Sequence, residues 1–125
     1  MSKILVVDDS RLILQAVKET LQGHELTLTE NPLEVPHLIR ECHPDLVLID
    51  LNMPTMRGDV VARIIRKAFG NDVIVLLHTE VPAEAHALLE GCGANGVIAK
   101  SPDEASLRNA VKAHLRKQAP RASVA

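Results

Sequence analysis

Aromatic residues are almost absent from this chain of 125 residues, which contains one Phe and neither Trp nor Tyr. Hydrophobic residues still make up 46% of the chain, so the core that they form must be aliphatic. The length is typical of a single domain. Proteins that bind single-stranded nucleic acids stack the bases on aromatic side chains, and this chain has no such platform.

An excess of basic residues and a long apolar run are also missing. The formal net charge is -2 at pH 7, which argues against a surface for nucleic acid or anionic membrane. No apolar run approaches the roughly 20 residues that span a bilayer. The start of the chain does not show the pattern of a secretory signal. We therefore expect a cytoplasmic protein that has neither a nucleic acid nor a membrane as its partner.

Cysteine is scarce as well. Cys42 and Cys92 are not in a CxxC pattern, and Cys42-His43 has no companion pair at the spacing of a zinc site. We expect two buried thiols in a reducing compartment. The histidines without metal-site spacing are expected at the surface or partly buried: His24, His37, His43, His86 and His114.

Short aliphatic runs alternate with helical patterns along the chain. The runs predict strands at residues 3–7, 26–29, 46–49, 73–77 and 96–99. Each is followed by apolar residues at helical spacing. Strands that alternate with helices pair in parallel, so we predict an α/β fold with a doubly wound five-stranded parallel sheet. Residues 1–117 would form this domain, and residues 118–125 a flexible tail.

Individual elements carry further expectations. The run Leu46–Ile49 is apolar at every position, which is typical of a strand at the centre of a parallel sheet. The segment 26–29 alternates in polarity, as an edge strand does. The second helix begins at Pro32 or at Pro36, and the pattern leaves both starts open. Pro102 is expected to open the last helix.

Charged side chains follow three of the predicted strands. Asp8 and Asp9 follow the first strand, Asp50 follows the third and Lys100 follows the fifth. The carboxyl ends of parallel strands meet at one edge of a sheet, so we expect these groups to lie together. Their mutual repulsion would be relieved by Lys100 and by a hard divalent cation such as Mg²⁺. Such a site suits phosphoryl transfer, with Asp50 as the nucleophile that forms an aspartyl phosphate.

The ordered set of these residues resembles the receiver domain of bacterial two-component response regulators. The segments that carry the resemblance are Lys3–Ser10, Pro44–Pro54, Gly58, Gly93–Ala94, Gly96 and Lys100. It extends from residue 3 to about residue 115 and implies the flavodoxin-like (βα)5 receiver fold. It fits both a stand-alone, chemotaxis-type regulator and the receiver of a longer protein.

The resemblance also implies roles for the residues. Asp50 would accept a phosphoryl group from a sensor histidine kinase or a phosphotransfer protein. Asp8 and Asp9 would hold Mg²⁺, with Asp9 as the more direct ligand, and Asp50 and the backbone carbonyl of Asn52 would complete the protein ligands. Lys100 would pair with the phosphoryl oxygens. Phosphorylation would then switch the binding of a downstream protein effector at a surface around the fourth helix and fifth strand.

Three positions depart from the family pattern. A hydroxyl residue is expected at the end of the fourth strand, where either His78 or Thr79 could lie; we favour Thr79 because it has the hydroxyl. Val97 stands where the family has an aromatic residue. Ser101 follows Lys100 in place of a cis proline, and a cis bond there would cost roughly 3 kcal/mol. That bond is therefore either trans or strained.

Three functions compete. The first is a phosphorylatable receiver, and the second is a pseudo-receiver that acts as an interaction scaffold without being phosphorylated. The third is an aspartyl-phosphate phosphatase, which would need a general acid two residues after the nucleophile; Asn52 at that position cannot donate a proton in this way. We therefore expect a signalling domain that catalyses only its own phosphorylation and dephosphorylation.

Overall fold

A computed structural model describes the backbone of residues 2–101 and 103–124, and the side chains of those residues as far as Lys117. The strands are β1 Lys3–Val7, β2 Glu25–Thr29, β3 Leu46–Asp50, β4 Ile74–Thr79 and β5 Gly96–Ala99. The helices are α1 Arg11–Thr20, α2 Val35–Cys42, α3 Gly58–Phe69, α4 Pro82–Cys92 and α5 Glu104–Val124. The predicted alternation of strands and helices is confirmed.

The five strands form one sheet in the order β2-β1-β3-β4-β5, and every neighbouring pair is parallel. This confirms the doubly wound parallel sheet, with β3 at its centre and β2 at an edge. One aliphatic cluster fills the face that packs on α2, α3 and α4, and a second fills the face that packs on α1 and α5. The two faces will be called the α3 face and the α1/α5 face.

Successive residues of each strand belong to alternate faces. In β3, Leu48 belongs to the α1/α5 cluster and Ile49 to the α3 cluster. In β4, Leu76 and Leu77 divide in the same way. Side chains alternate along a strand, so a residue at the carboxyl end of a strand lies on the same face as the residue two positions before it.

Both proline starts of the second helix are used. Pro32 opens a single 3-10 turn, Pro32–Glu34, in which the Asn31 side chain accepts a hydrogen bond from the Leu33 N–H. Pro36 then lies in the first turn of α2. A proline costs little there, because the first N–H groups of a helix have no partner within the helix.

The ends of several elements differ from the predictions. β4 continues through His78 and Thr79, two residues beyond its expected end. α5 extends through Val124, where a flexible tail is predicted. The domain boundary at residue 117 stays a prediction, and Pro102 lies outside the described residues.

Two further expectations concern burial and membranes. Cys92 is buried as predicted, but Cys42 is only half-buried, because it lies at the end of α2 rather than inside the core cluster. Both thiols are free. Among the helices that the structure describes, none combines the length and the apolar character needed to cross a bilayer.

Candidate functional site

The carboxyl ends of β1, β3 and β5 bring Asp8, Asp50 and Lys100 together, as predicted. Val7 and Ile49 are neighbours in the parallel pairing of β1 and β3, so the residues that follow them emerge side by side. Asp8 and Asp50 are buried, whereas Asp9 is exposed. Asp8, Asp50 and Lys100 lie two residues after members of the α1/α5 cluster, which places them on that face.

Lys100 neutralises the two buried carboxylates. Its Nζ lies 3.0 Å from Asp50 Oδ1, to which it donates a hydrogen bond, and 2.9 Å from Asp8 Oδ2. Burial alone would lower the pKa of Lys100, but its contacts with Asp8 and Asp50 outweigh burial and raise that pKa. The side chain therefore stays an ammonium ion at neutral pH and holds Asp8 and Asp50 close to each other.

The carboxyl group of Asp50 is less acidic than an ordinary aspartic acid. Burial raises its pKa, and the negative charges of Asp8 and Asp9 add to the rise, while the hydrogen bond and positive charge of Lys100 oppose it. A carboxylate that water solvates poorly and that has like charges beside it is stabilised by any added cation. A metal ion next to Asp50 would therefore stabilise the charged form of its carboxylate.

The three aspartates are arranged as a candidate cation site. One carboxylate oxygen each from Asp8, Asp9 and Asp50 lies within 4.8 Å of the others. Asp8 Oδ1 accepts a hydrogen bond from the Ser10 N–H at 2.9 Å, and the buried Asp8 Oδ2 is paired with the Lys100 ammonium ion at 2.9 Å. Three carboxylates around one ammonium ion leave an excess of negative charge, which an added cation would offset. Hard oxygen donors of this kind fit Mg²⁺.

Asn52 lies in the loop directly after β3, two residues beyond Asp50, and is exposed. A position next to the aspartates is compatible with the backbone carbonyl role that the sequence suggests. That role stays a prediction.

The structure does not bring Thr79 to this site, contrary to the sequence-based preference. In the pairing of β3 with β4, Asp50 is the neighbour of His78. Thr79 lies one residue further along, so its side chain lies on the α3 face, opposite to that of Asp50. Its hydroxyl accepts a hydrogen bond from the Val81 N–H at 3.0 Å and supports the turn into α4. The position beside Asp50 belongs to His78.

His78 is a buried and neutral imidazole. Burial lowers its pKa to about 4, and the positive charge of Lys100 contributes to the same shift. Its ring lines a cavity of about 160 Å³ that lies between α1 and α5 and that Lys100 also lines. No feature of the sequence distinguishes His78 from Thr79 for this position, because the strand before them is apolar on both faces.

The loop between β3 and α3 is held in place by contacts that sequence reasoning missed. Arg57 Nε lies 3.0 Å from Oδ1 of the buried Asp59, and Arg57 also contacts Glu84 of α4 at 3.2 Å. Gly58 donates its N–H to the Leu51 carbonyl at 2.8 Å. The loop that follows Asp50 is thereby fixed to β3 at one end and to α4 at the other.

The two remaining departures from the family pattern are also visible. Val97 is half-buried and packs against the aliphatic cluster of the α3 face. The peptide bonds of the described residues, the Lys100–Ser101 bond among them, are trans. Of the two possibilities for the Lys100–Ser101 bond, trans or strained cis, the structure has the trans bond.

Comparison with known proteins gives a consistent result. The family described as "Response regulator receiver domain" matches residues 4–112. The response regulator MprA of Mycobacterium sp. (strain KMS) is 31% identical over 122 residues, which are 94% of this chain and 52% of that protein. The transcriptional regulatory protein YdfI of Bacillus subtilis is 28% identical over 122 residues, 93% of this chain and 56% of that protein. The chain thus spans about half the length of these relatives.

Solved structures agree with the sequence comparison. The chemotaxis protein CheY4 of Vibrio cholerae superposes with a TM-score of 0.82 at 28% identity, over 90% of this chain and 97% of that chain. A receiver domain protein from Clostridium thermocellum gives a TM-score of 0.83 at 26% identity, over 94% of this chain and 97% of that chain. Five parallel strands with five helices are therefore an architecture that this chain shares with CheY-like proteins.

Proposed function

This chain belongs to the response regulator receiver domain family, and from that premise we propose that Asp50 is the residue that accepts the phosphoryl group. Receiver domains are signalling domains, and phosphorylation-based signalling fits the site. The observation that carries the proposal is the ion-pair triad in which Lys100 lies 3.0 Å from Asp50 and 2.9 Å from Asp8. A carboxylate at the end of the central strand thus has a cation beside it, where the charge of a transferred group would develop.

Asp50 and Lys100 have different roles in the proposed transfer. A carboxylate oxygen of Asp50 attacks the phosphorus of a phosphohistidine, the new O–P bond forms, and the P–N bond breaks to release the histidine of the donor. Lys100 balances the negative charge that gathers on the phosphoryl oxygens. Because Asp50 is buried, water has restricted access to the acyl phosphate that results.

The acidic cluster supports a magnesium-dependent reaction. Asp8, Asp9 and Asp50, with the backbone carbonyl of Asn52, are the residues that would hold Mg²⁺. When bound, Mg²⁺ supplies positive charge that offsets the charges of the aspartates and of the phosphoryl oxygens.

Partners follow from the family in general terms. Response regulators act with histidine kinases and with downstream effectors. We infer that the donor for this chain is a sensor histidine kinase or a phosphotransfer protein in the cytoplasm, and that phosphorylation changes the binding of a protein effector. Since Val97 provides no aromatic ring on β5, the change at the surface must be transmitted by other side chains.

The scaffold alternative requires that the chain is never phosphorylated. Asp8, Asp9, Asp50 and Lys100 are all present, and they are brought together in the part of the chain that the structure describes. No observation on these residues favours the alternative.

The test is phosphorylation by a small acyl phosphate with and without Mg²⁺, read by intact-mass spectrometry. We expect the wild type to gain one phosphoryl group only with Mg²⁺, and Asp50→Asn to gain none. Asp72→Asn is the matched control, because Asp72 is an exposed aspartate outside the acidic cluster, and it should be labelled like the wild type. Label on Asp50→Asn, or none on the wild type, would overturn the proposal.

A further inference from the structure

The cavity of about 160 Å³ on the α1/α5 face is a separate space from the acidic cluster. Residues of α1 and α5 line its sides, and the carboxyl ends of β4 and β5 line its floor. Among the described residues around it, the cavity shares only Lys100 with the ion-pair triad, and the Nζ of Lys100 is already paired with Asp8 and Asp50. The proposed transfer to Asp50 therefore makes no use of this space.

The sides of the cavity are mainly aliphatic. Val17 of α1 and Leu107 of α5 belong to the buried cluster of the α1/α5 face, and Ile13 packs against that cluster. Such walls offer water no hydrogen bonds. An apolar cavity of about 150 Å³ engineered into another protein excludes water and binds benzene. The volume and the walls together therefore favour an apolar occupant of about the size of a six-membered ring.

Two buried polar side chains also line the cavity. His78 and Thr20 are 6% and 7% exposed, and neither side chain has a hydrogen-bond partner in the part of the chain that the structure describes. A buried polar group without a partner costs free energy that an aliphatic side chain would not cost. A neutral imidazole offers one N–H donor and one nitrogen acceptor. These groups point to an occupant that carries a hydrogen-bonding group.

The charges around the cavity do not favour an anion. The positive charge of Lys100 is balanced by Asp8 and Asp50, as described above. Asp103 and Glu104 line the cavity at exposed positions, so an entering anion would meet carboxylates there. Transfer of a charged group to mainly aliphatic surroundings is also costly. An uncharged occupant avoids both costs.

We propose that this cavity binds a small uncharged ligand with an apolar body of about six carbon atoms and one hydrogen-bonding group, such as a phenol. The apolar body packs between α1 and α5, and the polar group forms a hydrogen bond with the imidazole of His78. The inference goes beyond the proposed function, because it assigns a ligand site next to Asp50 that takes no part in the transfer of the phosphoryl group.

The first experiment titrates the unaltered chain with phenol and follows the backbone amides by NMR. We expect the amides of Val17, Ala99 and Leu107 to shift and to saturate with a dissociation constant of about 1 mM, which is a reasonable affinity for a ligand of this size. Benzoate, an anion of similar shape, should bind at least about 10-fold more weakly. Shifts that do not saturate, or equal binding of phenol and benzoate, would overturn the inference.

Two variants then locate the ligand. His78→Leu removes the ring nitrogens, so the preference for phenol over benzene should fall about 3- to 10-fold, the effect of one hydrogen bond. Ala16→Leu extends a side chain of α1 into the cavity and should weaken phenol binding at least about 10-fold. The matched controls on α4, His86→Leu and Ala87→Leu, change exposed residues and should bind phenol like the wild type.

Wild-type behaviour of either cavity variant would overturn the inference. The titration with the unaltered chain does not depend on how well the variants fold. Since binding is measured without phosphorylation, a negative result would leave the proposal for Asp50 untouched, and a chain that takes no label could still bind phenol.

Discussion

Gly58 lies so close to the backbone of Asp50 that a methyl group at position 58 would overlap the Asp50 carbonyl oxygen. Gly58 begins α3, and its N–H donates to the carbonyl of Leu51, so the start of this helix packs directly on the end of β3. The glycine therefore allows the helix to approach the strand that carries the site. A side chain at this position must push the helix away from Asp50.

We expect Gly58→Ala to lose roughly 2–3 kcal/mol in the free energy of unfolding, because the atoms in the way belong to the backbone and cannot turn aside. Gly91→Ala is the matched control, since nothing lies near a Cβ at that position within α4. That variant should gain about 0.5–1 kcal/mol through a better helix propensity. Urea denaturation measures both, and equal stabilities would refute the packing argument.

Lys100→Met removes the cation that lies between two buried carboxylates. We expect a loss of about 2 kcal/mol without Mg²⁺, less than for a fully buried pair because Lys100 is partly exposed. Mg²⁺ should stabilise this variant more than the wild type, since the carboxylates would have no other cation. Lys18→Met, at an exposed position on α1, serves as the control in the same denaturation experiment. A variant as stable as the wild type without Mg²⁺ would speak against the triad.

Asp9 is the exposed member of the acidic cluster, so its contribution to a cation site can be tested with little disturbance of the fold. At a Mg²⁺ concentration about 100 times the dissociation constant, we expect the wild type to gain about 2.7 kcal/mol in stability. Asp9→Asn should lose most of this gain, and a chelator should remove it from the wild type. Thermal unfolding with and without Mg²⁺ reads the result. Asp72→Asn should respond to Mg²⁺ as the wild type does.

His78 makes stability depend on pH in a defined direction. Its pKa in the folded chain is lowered to about 4, whereas an unfolded chain binds the proton near pH 6.5. Between these values the unfolded state holds more protons, so the stability falls as the pH falls from about 6.5 to 4. We expect the contribution to reach about 3 kcal/mol at most. In urea denaturation from pH 7 to pH 4, the curve of His78→Gln should be flatter than that of the wild type. Parallel curves would contradict this environment for the ring.

Arg66 connects the end of α3 to the loop before β4 and to the loop before β5. It donates to the carbonyls of Gly70, Val73 and Gly93 at 2.9, 2.7 and 2.7 Å, and to the side chain of Asn95. The planar guanidinium group serves several acceptors at once, which the point charge of lysine cannot do. We therefore expect Arg66→Lys to lose about 2 kcal/mol in denaturation experiments.

The control for Arg66 is Arg63→Lys on the same helix. Arg63 is exposed and contacts Asp59 only at 3.5 Å, so the change should stay within about 0.5 kcal/mol of the wild type. If Arg66→Lys and Arg63→Lys had the same effect, the carbonyl contacts of Arg66 would not contribute to stability.

The sequence by itself determined the order and type of the elements. Aliphatic runs of strand length alternate with helical spacing, and this alternation allows only a parallel sheet with crossover helices. It also predicted the meeting of Asp8, Asp50 and Lys100, because each follows a strand and all parallel strands of one sheet end at the same edge. These conclusions need only the chain order and the length of each run.

Choices that depend on how the strands are aligned could not be made from the sequence. The run before His78 and Thr79 is buried on both faces, so its polarity does not alternate and gives no sign of which residue faces Asp50. Only the pairing of β3 with β4 shows that His78 is the residue next to Asp50. Similarly, the half-exposed Cys42 and the approach of Gly58 to Asp50 depend on how helices pack on the sheet. Such contacts depend on how separate elements pack against each other, and the polarity pattern within one element carries no information about them.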